Sequence, residues 1–107
     1  MDQEEIVLVT PNYRLGALGF LSLENDSISG NMGLKDQAMA LEWVRDNIGD
    51  YSGDPGNVTL MGASAGGISA MNHLVSPMSQ GQWCQNLVTK PQIWLSYCAL
   101  RLYLKDN

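Results

Sequence analysis

The sequence predicts an α/β fold with parallel strands, and three observations support this. One continuous apolar run occupies residues 6–10, and a second occupies residues 58–61. Between them, apolar residues recur at helical spacing from residue 34 to residue 48. The second run leads directly into a Gly-x-Ser-x-Gly sequence at residues 62–66 and then into a helix-compatible stretch. Strands that alternate with helices in this way are typical of a parallel sheet with right-handed crossovers.

The first apolar run reads Ile-Val-Leu-Val-Thr and is apolar on both of its predicted faces. A strand of this kind is typical of the middle of a parallel sheet, where helices cover both faces. We therefore expect residues 6–10 to be buried on both sides.

A single apolar stripe predicts the helix between the two strands. The stripe is four turns long and consists of Leu34, Ala38, Leu41, Val44 and Ile48. Trp43 lies beside the stripe, and we expect it to pack in the core. Asp36 is expected in the first turn, where the helix dipole favours a carboxylate. Gly49 and the turn residues at 53–56 then end the helix and lead into the second strand.

The order of strand, Gly-x-Ser-x-Gly and helix predicts a nucleophile elbow of the α/β-hydrolase type. Ser64 would stand at the tip of a sharp turn, and glycines two residues before and after it would leave room for that turn. Ser64 is then the candidate nucleophile, and the backbone N–H of Ala65 is a candidate oxyanion donor. The alternative interpretation is an ordinary flexible loop or a glycine-rich helix start.

Length and charge limit the other possibilities. The chain has 107 residues, which is enough for one small domain, and its net charge of −5 argues against nucleic-acid binding. We expect no bilayer-spanning segment, because no stretch approaches the roughly 18 apolar residues that this requires. The acidic start at residues 1–5 does not fit a secretory signal. Cys84 and Cys98 leave both a disulfide and two free thiols open.

Many short blocks of the sequence, in the same order, resemble the type-B carboxylesterase and cholinesterase family. The resemblance covers about residues 6–81 and implies part of an α/β-hydrolase fold with an incomplete sheet. It implies a secreted or ER-lumenal serine hydrolase of small-molecule carboxylic esters that uses no cofactor or metal, with Ser64 as nucleophile and Ala65 in the oxyanion hole. The blocks that carry it lie at residues 12–16, 19–21, 30–37, 40–44, 47–48, 53–59, 62–67 and 73–77.

The chain departs from the family pattern at several points. Ala63 stands where the family usually has glutamate, which disfavours a cationic substrate such as a choline ester. The family's glycine-rich oxyanion loop, acid and catalytic histidine have no counterpart in this sequence. His73 is the only histidine, and at 1.5 Å per helical residue it would lie roughly 13 Å beyond Ser64. We therefore expect a structural or surface His73 and a chain that is inactive on its own.

These departures lead to a predicted division of the chain and to two alternatives. Residues 1–81 form a partial hydrolase domain, and residues 82–107 form a divergent tail that is either a non-native end or a peripheral membrane anchor. A non-catalytic adhesion or binding protein on an esterase scaffold is one alternative function. A truncated product without activity is the other, and the sequence does not indicate an oligomeric state.

Two glycosylation sequons are also present. Asn25-Asp26-Ser27 falls in a polar, loop-like stretch that suits a surface sugar if the protein enters the secretory pathway. Asn57-Val58-Thr59 falls at the start of the proposed buried strand, where a glycan is disfavoured.

Overall fold

The computed structural model describes residues 6–79, 86–90 and 98–104. The predicted order of strand, helix, strand, serine turn and helix is confirmed. Cys84 lies outside the described residues, so the disulfide question stays open. In chain order the elements are β1 (Ile6–Val9), α1 (Gly16–Phe20), α2 (Met32–Asn47), a 3-10 turn (Ile48–Tyr51), β2 (Gly53–Ala63), α3 (Ala65–Val75), β3 (Asn86–Lys90) and β4 (Cys98–Leu104).

The four described strands form one mixed sheet in the order β1-β4-β2-β3. β2 and β3 are parallel, with Thr59 opposite Asn86 and Ala63 opposite Lys90. β4 lies between β1 and β2 and is antiparallel to both. The predicted parallel direction of β1 and β2 therefore holds, although the two strands are not neighbours. The predicted turn at residues 53–56 lies within β2, where the register with β4 shifts between Gly53 and Val58.

The expectation that β1 lies in the middle of the sheet is wrong. β1 is an edge strand of the described sheet. Val7 and Val9 pack against the core, whereas Ile6 is 43% and Leu8 is 58% exposed. An apolar run does not specify what covers each of its faces, and the described residues cover only one face of this strand.

The core forms where the stripe of α2 meets β2 and α3. The stripe is confirmed, since Ala38, Leu41, Val44 and Ile48 are buried and Leu34 is half-buried. Complete burial of an aliphatic side chain stabilises the fold by roughly 1.5–3 kcal/mol. Packing of this kind fixes the end of β2 and the start of α3 relative to α2. The core cluster consists of Leu41, Val44, Ile48, Val58, Leu60 and Ala70.

Two predictions about other side chains of α2 are wrong. Trp43 is 46% exposed, and its ring lies 5.9 Å from that of Tyr51, because it is off the buried stripe. Asp36 lies beyond the first turn, because α2 begins at Met32. It pairs with a distant arginine instead of with the helix end.

Arg14 and Asp36 join the segment after β1 to α2. The Arg14 guanidinium donates through Nε to Oδ2 at 2.8 Å and through a terminal nitrogen to Oδ1 at 2.7 Å. The backbone N–H of Arg14 donates to Oδ2 at 3.0 Å. These hydrogen bonds, led by those from the guanidinium, lower the pKa of Asp36 from 3.8 to about 2. A side chain at Gly33 would also meet the carbonyl oxygen of Arg14, so α2 and this segment lie in direct contact.

We expect Asp36→Asn to loosen the segment around Arg14 in a pH-dependent way. Because folding lowers the pKa of Asp36, its stabilising effect is fully present above pH 4 and disappears as the pH falls through about 2. Amides at residues 12–20 should therefore exchange faster in the variant at pH 6, and the difference should shrink as the pH falls to about 2. Hydrogen–deuterium exchange with rates corrected for pH measures this, and Asp50→Asn is the control. A difference that persists unchanged at pH 2 would contradict the assignment.

Candidate active site

Ser64 is the only residue between the end of β2 and the start of α3. Its backbone has φ 52° and ψ −123°, a region that L-residues rarely adopt. A residue held in such a conformation costs about 1–3 kcal/mol, which the surrounding packing must offset. The predicted sharp turn is therefore present, and the half-buried Ser64 stands at its tip.

Close contact between the two ends of the turn requires glycine at position 62. A Cβ on Gly62 would collide with the carbonyl group of Gly66 and would lie 2.7 Å from the nitrogen of Gly67. Gly66 and Gly67 are themselves buried. The first turn of α3 therefore packs directly on the backbone at the end of β2. Ser64 is the one residue that joins these two closely packed elements, and it does so at positive φ.

The start of α3 presents backbone N–H groups beside Ser64. The first intrahelical bond runs from the N–H of Ile68 to the carbonyl of Ser64 at 3.1 Å, so the N–H groups of residues 65–67 precede it. Ala65 is exposed, and it is the first residue of the helix. The Oγ of Ser69 donates to the carbonyl of Ala65 at 2.9 Å and stabilises this turn. Such a helix start carries partial positive charge and can stabilise an anion formed at Ser64.

Among residues 6–79, the structure brings no proton acceptor to Ser64. Within residues 6–79, no side chain hydrogen-bonds with its Oγ, and His73 lies nine residues further along the same helix. At 1.5 Å per residue this separation is roughly 13 Å, far beyond a hydrogen bond. Position alone therefore excludes His73 as a general base for Ser64 of the same molecule.

His73 instead belongs to a buried polar cluster that joins α3 to α2. It is 4% exposed. Its Nε2 donates to the Oε1 of Gln37 at 2.9 Å, and its Nδ1 accepts from the hydroxyl of Ser79 at 2.8 Å. Burial lowers the pKa of His73, which keeps the ring neutral. The expectation of a structural His73 is confirmed, and the cluster is something that sequence reasoning missed.

A cavity of about 110 Å³ lies beside this cluster and is separate from the serine turn. None of its lining residues belongs to the segment 62–67. Its polar lining comes from Asn31, Lys35, Asn72, His73, Ser76 and Ser79.

The described part of the chain contains neither a metal-binding cluster nor a membrane-spanning helix. Within residues 6–79, 86–90 and 98–104, no three histidine, cysteine, aspartate or glutamate residues are grouped so as to hold a metal ion. None of the described helices has the length and apolar character needed to cross a bilayer.

Comparisons with known proteins place this geometry in context. The model of the carboxylesterase family matches residues 1–96. Esterase E4 of Myzus persicae is 52% identical over 81 residues, covering 76% of this chain and 15% of that protein. Cocaine esterase of Oryctolagus cuniculus is 53% identical over 78 residues, covering 73% of this chain and 15% of that protein. Cholinesterase 1 of Branchiostoma lanceolatum is 53% identical over 77 residues, covering 72% of this chain and 22% of that protein.

The solved structure of a PNB esterase shows the same likeness in three dimensions. It superposes with a TM-score of 0.66 at 50% identity, and the match covers 71% of this chain and 16% of that chain. The chain therefore spans about a sixth of this structure, and 15% of Esterase E4.

The strain at Ser64 predicts a difference between two substitutions. Ser64→Gly removes the penalty for positive φ, whereas Ser64→Ala keeps it, and both remove the hydroxyl. We expect the glycine variant to be more stable than the alanine variant by about 1 kcal/mol. Pulse proteolysis across a urea series measures this at low protein concentration. Equal stability of the two variants would show that the turn is relaxed in solution.

Proposed function

The chain belongs to the carboxylesterase family, and on that premise we propose that it carries the nucleophile of a serine hydrolase of carboxylic esters. One observation supports this more than any other. Ser64 is held at positive φ at the tip of a strand-to-helix turn, with free helix N–H groups directly after it. Backbone strain of this kind is typical of functional sites.

The proposed reaction has two steps at Ser64. The Oγ attacks the ester carbonyl carbon and gives up its proton to a base, while the N–H of Ala65 donates to the oxyanion that forms. Collapse of this intermediate expels the alcohol, which takes the proton, and leaves an acyl group on Oγ. Water then attacks the acyl carbon, and the acid departs as Ser64 recovers its proton.

The base for these steps has to come from outside this chain, because His73 is its only histidine and is held in the cluster with Gln37. A serine without a base is a weak nucleophile at neutral pH. In enzymes that use a triad of serine, histidine and acid, removing one member lowers the rate by several orders of magnitude. We infer that the chain by itself is essentially inactive and that the activity belongs to a complete fold of this family.

Ala63 supports esters without a positive charge as the substrate class. It places a methyl group directly before the nucleophile, so no carboxylate from that position attracts a cation. We further propose that the complete protein works in the secretory pathway.

The division of the chain at residue 81 also remains a proposal. The family match extends to residue 96, and β3 and β4 of the proposed tail pair with β2. If the tail is foreign to the family, its strands have nevertheless been accommodated in the sheet on both sides of β2, the strand that leads into Ser64.

A non-catalytic binding protein is the second candidate function. The isolation of Ser64 from any base within residues 6–79 favours it. The strained turn favours the enzyme, because a scaffold used only for binding has no need for a costly backbone at one serine.

A chimera tests the proposal directly. Residues 6–81 would replace the matching segment of the PNB esterase, so that the rest of that esterase surrounds the serine turn. We expect the chimera to hydrolyse a neutral aryl ester and Ser64→Ala to lower kcat/KM by at least about 10⁴-fold. Ser27→Ala, in an exposed loop, is the control that should leave the rate unchanged.

The isolated chain provides the second arm of this test. A fluorophosphonate should label it far more slowly than it labels the chimera. A chimera that melts cooperatively but neither hydrolyses esters nor reacts at Ser64 would favour the non-catalytic alternative.

A further inference from the structure

The loop between α1 and α2 contains the one sequon that stands clear of the fold. All seven residues from Leu21 to Ser27 are exposed, and Ile28 is half-buried. A narrow bridge closes the loop, since Asn25 pairs with Ile28 and the N–H of Leu23 donates to the carbonyl of Ile28 at 3.0 Å. The loop is thus a defined projection in which Asn25 lies near the tip.

The side chain of Asn25 is held with its oxygen and nitrogen in different environments. Its Oδ1 accepts from the backbone N–H of Ser27 at 3.1 Å and from that of Ile28 at 2.9 Å. Both bonds use the oxygen, and within residues 6–79 no hydrogen bond from the Nδ2 is formed. The nitrogen is the atom to which an N-linked sugar is attached, and it belongs to an exposed residue whose hydrogen bonds use the oxygen.

The second sequon has the opposite surroundings. Asn57 lies inside β2, next to Val58, which is 5% exposed. The hydroxyl-bearing Thr59 of that sequon is 4% exposed and pairs with strands on both sides. A glycan on Asn57 would lie against β2, the strand that leads into Ser64.

We propose that Asn25 is an N-glycan attachment site. The Nδ2 forms a bond to the anomeric carbon of an oligosaccharide supplied on a lipid pyrophosphate. The bond from that carbon to the pyrophosphate oxygen breaks, the lipid pyrophosphate leaves, and the amide nitrogen loses one proton. The inference does not depend on the esterase chemistry and requires only that the chain enters the lumen where the donor is found.

Translation of the full chain into endoplasmic-reticulum microsomes tests this proposal. A cleavable leader is added in front, and a known acceptor sequon after Asn107 reports that each molecule has entered the lumen. We expect two sugar-bearing additions that peptide N-glycosidase removes, one on the reporter and one on Asn25. Asn25→Gln and Ser27→Ala should each leave one addition, and Asn57→Gln should leave two.

Ser27→Ala is the sharper variant because Ser27 bonds to Asn25 through its backbone N–H, which alanine also has. The turn is therefore kept. Ser27→Thr retains the hydroxyl and should keep the second addition. Wild-type chain that carries the reporter sugar alone would overturn the proposal. A second addition that survives Ser27→Ala and disappears in Asn57→Gln would also overturn it.

Discussion

The contact between Gly62 and Gly66 is the constraint on which the rest of the structure depends. The end of β2 and the first turn of α3 approach so closely that no side chain fits at position 62. Ser64 is the single residue between these elements, and it joins them at positive φ. The chemistry proposed for the chain follows from this contact, because it both places a hydroxyl at the tip of the turn and places helix N–H groups beside it.

Packing elsewhere offsets the strain of this turn. Val58 and Leu60 anchor β2, and Ala70 anchors α3, against the buried stripe of α2. The hydrogen bond between the Nε2 of His73 and the Oε1 of Gln37 joins α3 to α2. The helix α3 and the strand β2 meet at Ser64. Contacts with α2, on the side away from the turn, hold both of them in place. The only histidine of the chain is engaged in this support, and it is therefore not available to the serine.

Local patterns predicted the serine turn and the helical stripe well. The turn depends on glycines within two residues of Ser64, and the stripe depends on one periodicity, so both are encoded in short stretches. Contacts between distant residues were not predictable in this way. The pairing of Arg14 with Asp36 spans 22 positions and that of His73 with Gln37 spans 36, and neither has a local signal. The edge position of β1 was mispredicted for the same reason. The described strand that pairs with β1 is β4, which comes from the far end of the chain.

A crystal structure of the esterase chimera after reaction with an alkyl fluorophosphonate would test the central claim most directly. The account predicts phosphorus bonded to the Oγ of Ser64, a backbone φ at this residue close to 52°, and a phosphonyl oxygen about 2.7–3.1 Å from the nitrogen of Ala65. A Ser64 with negative, helical φ would contradict it. A phosphonyl oxygen directed away from the start of α3 would contradict it equally.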